Sequence, residues 1–152
     1  MKIGLAIRRF GRVGGMENVA YAFAHWLAGA GHEVDVWTSK IIGRTTGIRV
    51  RTLPVRGRGV HWKAHSLRRL LREIPVDDYD GFLHFERGGS SGTYRAGAGC
   101  HASWVRKRGA RFGDRWLTAV DCESMTRAAR VVVNSQMIRA EAKDLYGIPE
   151  DR

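Results

Sequence analysis

Ile3-Gly4-Leu5-Ala6-Ile7, Gly11-Arg12-Val13-Gly14-Gly15-Met16-Glu17 and His32-Glu33-Val34-Asp35-Val36-Trp37-Thr38 decide the fold. The first is a short apolar run, the second a glycine-rich turn, and the third alternates with period two, the pattern of a half-buried strand. Between the turn and the third stretch, Val19, Ala20, Phe23, Trp26, Leu27 and Ala30 follow the three-and-four spacing of a helix. Gly31 stands where a helix C-terminal glycine belongs. A strand, a helix and a strand in this order form a right-handed βαβ unit with parallel strands.

The same alternation continues outward. Ile48-Arg49-Val50-Arg51-Thr52-Leu53 reads as a third strand ended by Pro54, and Leu67, Leu70, Leu71 and Ile74 mark the apolar stripe of a helix that Pro75 stops. Gly81-Phe82-Leu83-His84-Phe85 is a fourth strand and Val131-Val132-Val133 a fifth, and their apolar character places both in the sheet centre. A last helix over 136–146 is started by Asn134 and Ser135 and stopped by Gly147, with Pro149 beyond. The fold class is α/β, a Rossmann-like doubly wound parallel sheet. Residues 1–152 are expected to form a single domain.

The charge balance is extreme: 26 Lys+Arg against 15 Asp+Glu, for a net +11. Such an excess implies an anionic partner, whether phosphate, nucleic acid or an acidic membrane. Cys100 and Cys122 form no CxxC pair and no metal-ligand spacing, so reduced thiols and no metal site are expected. Ile3 to Ile7 is too short for a signal-peptide core or a membrane span. Arg8-Arg9-Phe10 resembles a twin-arginine signal, but Gly11-Arg12-Val13-Gly14-Gly15 follows where an apolar segment is required. A cytoplasmic location is expected.

The glycine loop lies between the first strand and its helix, where open α/β sheets place a ligand crevice. Glycines there allow φ above zero and let backbone N–H groups approach an anionic oxygen. The spacing is neither GxGxxG nor Walker A, which argues against dinucleotide and P-loop readings, and a tight turn without a ligand is the plain alternative.

Met1-Lys2-Ile3-Gly4-Leu5, Phe10-Gly11, Gly14-Gly15-Met16-Glu17 and Ala28-Gly29-Ala30-Gly31-His32-Glu33-Val34 together resemble the start of glycosyltransferase family 4. Val131-Val132-Val133-Asn134-Ser135 and Tyr146-Gly147-Ile148-Pro149 resemble the last strand and helix of that family's N-terminal domain. The resemblance implies one half of a retaining GT-B enzyme, the acceptor-binding N-terminal half. The C-terminal nucleotide-sugar domain is then absent from these residues, since the family's Glu-x7-Glu signature and its paired Arg and Lys do not occur in them. It also implies that Gly14 and Gly15 face the donor diphosphate and the acceptor. No cofactor is implied, the nucleotide-sugar being a substrate bound mainly by the other domain.

Tyr94-Arg95-Ala96-Gly97-Ala98-Gly99-Cys100-His101 follows a second glycine-rich loop, Gly88-Gly89-Ser90-Ser91-Gly92. It is similar to a stretch of the family's lipopolysaccharide-core members, which places Tyr94 and Arg95 on the acceptor side and makes His101 the cleft histidine and catalytic candidate. Those members carry acidic residues where Ala98 and Thr93 stand here, which points to a different acceptor or a degenerate copy. Read as residues alone, without the resemblance, a lone histidine such as His101 is more often a satisfied structural residue. Glu17 and Glu86, the acids nearest the expected cleft, are read as solvated or structural.

Two stretches concentrate charge. Arg44, Arg49, Arg51, Arg56, Arg58, Lys63, Arg68, Arg69 and Arg72 lie in a segment without an acid. In a second segment, which Gly109 interrupts, Trp104, Arg106, Lys107, Arg108, Arg111, Phe112, Arg115 and Trp116 interleave aromatics with cations, as at a lipid headgroup interface. The leading expectation is an enzyme half that glycosylates an anionic acceptor, such as lipopolysaccharide core, at the inner face of the plasma membrane. The alternatives are a polyanion or nucleic-acid binding module, with Trp62, Trp104 and Trp116 as stacking platforms, and a non-catalytic partner subunit.

Overall fold

The computed structural model describes residues 1–89 and 91–151, except for the side chains of 60 and 61. Six parallel strands form the main sheet: β1 (Lys2–Ala6), β3 (Glu33–Thr38), β5 (Arg49–Thr52), β6 (Gly81–His84), β7 (Thr93–Arg95) and β8 (Arg130–Val132). Their order across the sheet is β5-β3-β1-β6-β7-β8. Two further strands, β2 (Arg9–Gly11) and β4 (Lys40–Ile42), pair in parallel beyond the ends of β1 and β3. Gly11 permits that pairing: its φ is +154°, and a Cβ there would stand 1.7 Å from the Ile42 carbonyl oxygen.

The period of two in β1 divides the core. Leu5 and Ile7 face one side, with Ala20, Ala24 and Leu27 of α1 (Gly15–Gly29), whereas Ala6 faces the other, with Leu67, Leu71 and Ile74 of α2 (Val60–Arg72). A third cluster under β7 and β8 joins Tyr94 and Cys100 to Met125 of α4 (Asp114–Arg127) and Ala142 of α5 (Gln136–Tyr146). The remaining helix, α3 (His101–Arg108), links β7 to α4.

The expected helix punctuation is present. Gly31 has φ +83°, and the His32 N–H reaches the Leu27 carbonyl at 3.1 Å. Ser135 caps α5 by accepting from the Ile138 N–H, and Gly147 closes it in the left-handed conformation.

Three expectations need correction. The valine run is an edge strand of the described residues, not a central one: Val131 and Val133 pack inward while Val132 is 46% exposed. The third stretch of the opening motif is buried on both faces, because the polar position Asp35 is sealed beneath Tyr79 and Arg51, at 3.0 and 3.3 Å. The stripe of α1 is narrower than its apolar residues imply, with Glu17, Ala20, Ala24 and Leu27 buried and Val19 and Trp26 outward.

His84, at the end of β6, is 2% exposed, and neither ring nitrogen meets a partner of good geometry among the described residues. Burial pushes it down to about 4, and the Ser91 main chain offsets this only in part. The unfolded chain therefore binds more protons between pH 6.5 and 4, and stability falls as pH drops through that window, by about 3 kcal/mol in all. Chemical denaturation at a series of pH values is expected to show this loss in the wild type and to show it much reduced in His84→Leu. An equal loss in both proteins would contradict the assignment.

Candidate functional site at the strand C-termini

The C-terminal ends of β1, β6 and β7 open into a cleft of about 650 Å³. Met16 at the start of α1 borders it on one side, Lys63 and Arg68 of α2 on another, and Trp116 and Val120 of α4 on a third. Chain reversals at the carboxyl ends of parallel strands leave such a crevice by construction. A hollow of about 540 Å³ against β8 and α5 lies at the sheet edge, away from these strand ends.

Phe85 and Tyr94 give the cleft an apolar floor, and Trp116 closes it, its ring 4.3 Å from that of His65 on α2. Charged groups stand around this floor. The Glu86 carboxylate accepts the Arg8 N–H at 3.1 Å, and burial raises its pKa while Arg8 pulls it back. Arg95 lies over the Phe85 ring at 5.8 Å, backed by Gly97, where a Cβ would come within 2.2 Å of its guanidinium.

Arg87 is held from behind. Its Nε donates to Asp121 at 2.5 Å, and the other Asp121 oxygen accepts the His101 N–H at 2.7 Å and the Tyr146 hydroxyl at 2.9 Å. Asp121 is fully buried, so these partners are what make its charge tolerable there. Its carboxylate also sits at the positive end of α3, where the Ala102 N–H is taken by the Tyr146 oxygen at 3.1 Å. Tyr94, beside this group, has its pKa raised by burial and by Asp121, and the Cys100 thiol is pushed up to about 12 by burial.

A model of glycosyltransferase family 4 matches residues 13–152. The chain belongs to glycosyltransferase family 4. Among solved structures it is similar to that of WaaG, a glycosyltransferase involved in lipopolysaccharide biosynthesis, with a TM-score of 0.83 at 16% identity. The match covers 98% of this chain and 43% of that one, so the chain spans less than half of the protein it resembles. No curated protein matches it. The parallel sheet with helices on both faces is the Rossmann-like arrangement of the GT-B glycosyltransferase fold.

Within this family 4 domain, the residues singled out in the sequence fall into three places. Tyr94 and Arg95 line the cleft. Gly14 and Gly15 precede Met16 at its border, but neither has a positive φ, contrary to the reason given for glycine there. What Gly14 provides is room: a Cβ would stand 2.5 Å from the Glu17 carboxylate, which folds over the start of α1 and pairs with Arg9 at 2.6 Å. The anion expected at that helix end has a carboxylate in its place.

His101 begins α3 on the same side of the sheet but does not line the cleft. Its Nε2 lies 3.0 Å from Asp114 Oδ1, which also takes Arg108 at 2.6 Å, while Asp114 Oδ2 accepts the Arg111 N–H at 2.5 Å. The three hold the turn between α3 and α4, and Arg108 holds Asp114 down to about 2.

The aromatic and basic segment divides likewise. Trp104, Arg106, Lys107, Arg111, Phe112 and Arg115 are exposed, whereas Arg108 turns to Asp114 and Trp116 faces the cleft. Among the described residues no group of three His, Cys, Asp or Glu is placed to hold a metal, and no helix is long and apolar enough to cross a membrane. Ser90, in the second glycine loop, lies outside the described residues.

Glu86, read from the sequence as a solvated or structural acid near the cleft, and Lys63, read only as one of the basic stretch, both line it. Glu86 stands two residues beyond the end of β6, a position where α/β sheets commonly present ligand-binding groups, and that was the available signal.

Removing the Asp121 charge leaves a largely buried Arg87 unpaired. Asp121→Asn is expected to cost about 3–5 kcal/mol in urea denaturation, and Tyr146→Phe, which deletes one hydrogen bond, about 1 kcal/mol. Near-equal losses from the two substitutions would show that Asp121 is not the hub.

Proposed function

We propose that this family 4 domain is the acceptor-side half of a retaining glycosyltransferase. On this reading the enzyme moves a sugar from a nucleotide-sugar to an anionic, membrane-associated saccharide such as a lipopolysaccharide core. The observation that carries the reading is the cleft itself: an apolar floor suited to a sugar face, a ring of cations and one carboxylate, all at strand C-termini. The lipopolysaccharide setting is carried over from the structural relative, whose own description names that pathway.

The chemistry divides between two halves. Departure of a nucleoside diphosphate needs positive charge, and the sequence signatures that supply it in the family belong to the nucleotide-sugar domain. This domain binds and orients the acceptor. Gly14 and Gly15 are the proposed border with the donor diphosphate, which reaches the N–H groups of α1 by displacing Glu17. His101, pinned by Asp114, is proposed to hold the acceptor's far end or the loop that does so, and Tyr94 and Arg95 to contact it directly. No cofactor or metal is assigned a part.

The 152 residues alone are expected to transfer no radiolabelled sugar from any nucleotide-sugar, because the reacting groups are aligned only between two domains. Transfer at a rate near that of a two-domain family member would overturn the division of labour.

Peripheral attachment to the inner face of the plasma membrane is proposed through the exposed set Trp104, Arg106, Lys107, Arg111, Phe112 and Arg115. Three cations engaging an anionic leaflet provide about 3 kcal/mol, with the aromatics as anchors. Co-sedimentation is expected with anionic but not neutral vesicles, with release on a severalfold rise in salt. Equal binding to neutral vesicles would contradict it, and tight competition by single-stranded or duplex nucleic acid would favour a polyanion-binding module instead.

A further inference from the structure

The net positive charge of the molecule is not spread evenly through the cleft. Two of its arginines are neutralised from outside: Arg68 by Glu123 at 2.5 Å and Arg87 by Asp121 at 2.5 Å. Arg8 faces the one acid of the lining, Glu86. That leaves Arg95 and Lys63, for which no carboxylate partner is present among the described residues. They rise from different walls, the end of β7 and the first turn of α2.

Arg95 is also the more enclosed of the pair, half-buried where Lys63 is exposed. Its guanidinium lies over the Phe85 ring at 5.8 Å and occupies space that a side chain at Gly97 would take. An arginine already packed against a ring gives up less conformational freedom than a solvated one when it takes an anion in a forked contact. The neighbouring ring of Trp116 and the floor of Phe85 supply flat apolar surfaces of the kind that receive the C–H face of a sugar. Glu86 supplies the acceptor oxygens that sugar hydroxyls need.

We propose that the cleft is a subsite for an acidic sugar, a uronate or a sugar phosphate, with Arg95 and Lys63 holding its anionic group and Glu86 a hydroxyl. This rests on the acceptor-cleft reading above and makes it specific, since a neutral saccharide leaves Arg95 and Lys63 without a counter-charge. Carboxylate and phosphate are alike in accepting from a guanidinium and an ammonium, and they are separated only by experiment.

The test is binding to the 152-residue protein, followed by ligand-observed NMR or calorimetry at low salt. The probes are glucuronate, glucose 6-phosphate, glucose and inorganic phosphate. At least one acidic sugar is expected to bind tenfold or more tightly than glucose. Arg95→Gln is expected to bring it down to the level of glucose, Lys63→Gln to do so in part, and Glu86→Gln to weaken every sugar. Arg69→Gln, at an exposed residue of α2 that pairs with Glu73 and does not line the cleft, is expected to alter nothing.

If glucose binds as well as both acidic sugars, the charge-reading pair is overturned while the acceptor cleft stands. If inorganic phosphate matches glucose 6-phosphate, the cleft reads an anion and not a sugar, and the proposal fails. If no sugar binds to a protein with its native circular dichroism, the proposal and the acceptor-cleft reading fall together. Loss of acidic-sugar binding in Arg69→Gln equal to that in Arg95→Gln would reduce the effect to net charge and also overturn it.

Discussion

The buried carboxylate of Asp121 ties together parts of the chain that are otherwise far apart. Arg87 follows the sheet's central strand β6, His101 opens α3, and Tyr146 closes α5, and all three donate to its two oxygens. A carboxylate removed from water is costly unless cation and hydrogen bonds return what the water gave. The arrangement is therefore stable only when sheet, α3, α4 and α5 are all in place. The wall of the cleft follows from it: Arg87 is fixed beside Tyr94, and the loop from Arg95 to Cys100 is held between β7 and an α3 whose first N–H is already satisfied.

The excess of basic residues separates into two populations once their partners are known. Some arginines are internal fasteners. Arg68 and Arg72 both bind Glu123 and so clamp α2 to α4 across the cleft, and Arg108 ties the end of α3 to Asp114. Others have their charge directed outward or into the cleft, among them Lys63, Arg95, Arg106 and Arg115. Net charge alone cannot separate a clamp from a binding site, because both read as Arg in the sequence; the acids that make the difference lie 51 to 55 positions away for Arg72 and Arg68.

That separation explains how far the sequence could be read. Strands whose two faces both meet helices, such as β1 and β6, announce themselves as apolar runs, and α5 announces itself through its caps. The helix α4 is harder: Trp116, Leu117, Val120 and Met125 share a helical face, but Asp121 and Ser124 occupy the same buried face and break the pattern. Ser124 is buried because it accepts the Gly88 N–H at 2.7 Å, a contact no local rule anticipates. Three-residue strands such as β7 are too short to show a period at all. For the site, family resemblance pointed to Tyr94 and Arg95, which line the cleft, and to His101, whose Nε2 faces Asp114. Glu86 and Lys63 received no binding role because neither a solitary acid nor one lysine among many cations shows in the sequence whether its charge is already paired.

The central claim is that the strand C-termini of this family 4 domain form its saccharide site. The most direct measurement is a map of amide chemical-shift changes during titration with a saccharide acceptor. The account predicts changes concentrated at residues 85–88 and 94–98 and around Met16 and Trp116, with the Asp121 partners shifting next. Changes gathered instead at the hollow between β8 and α5, with the strand ends silent, would contradict it.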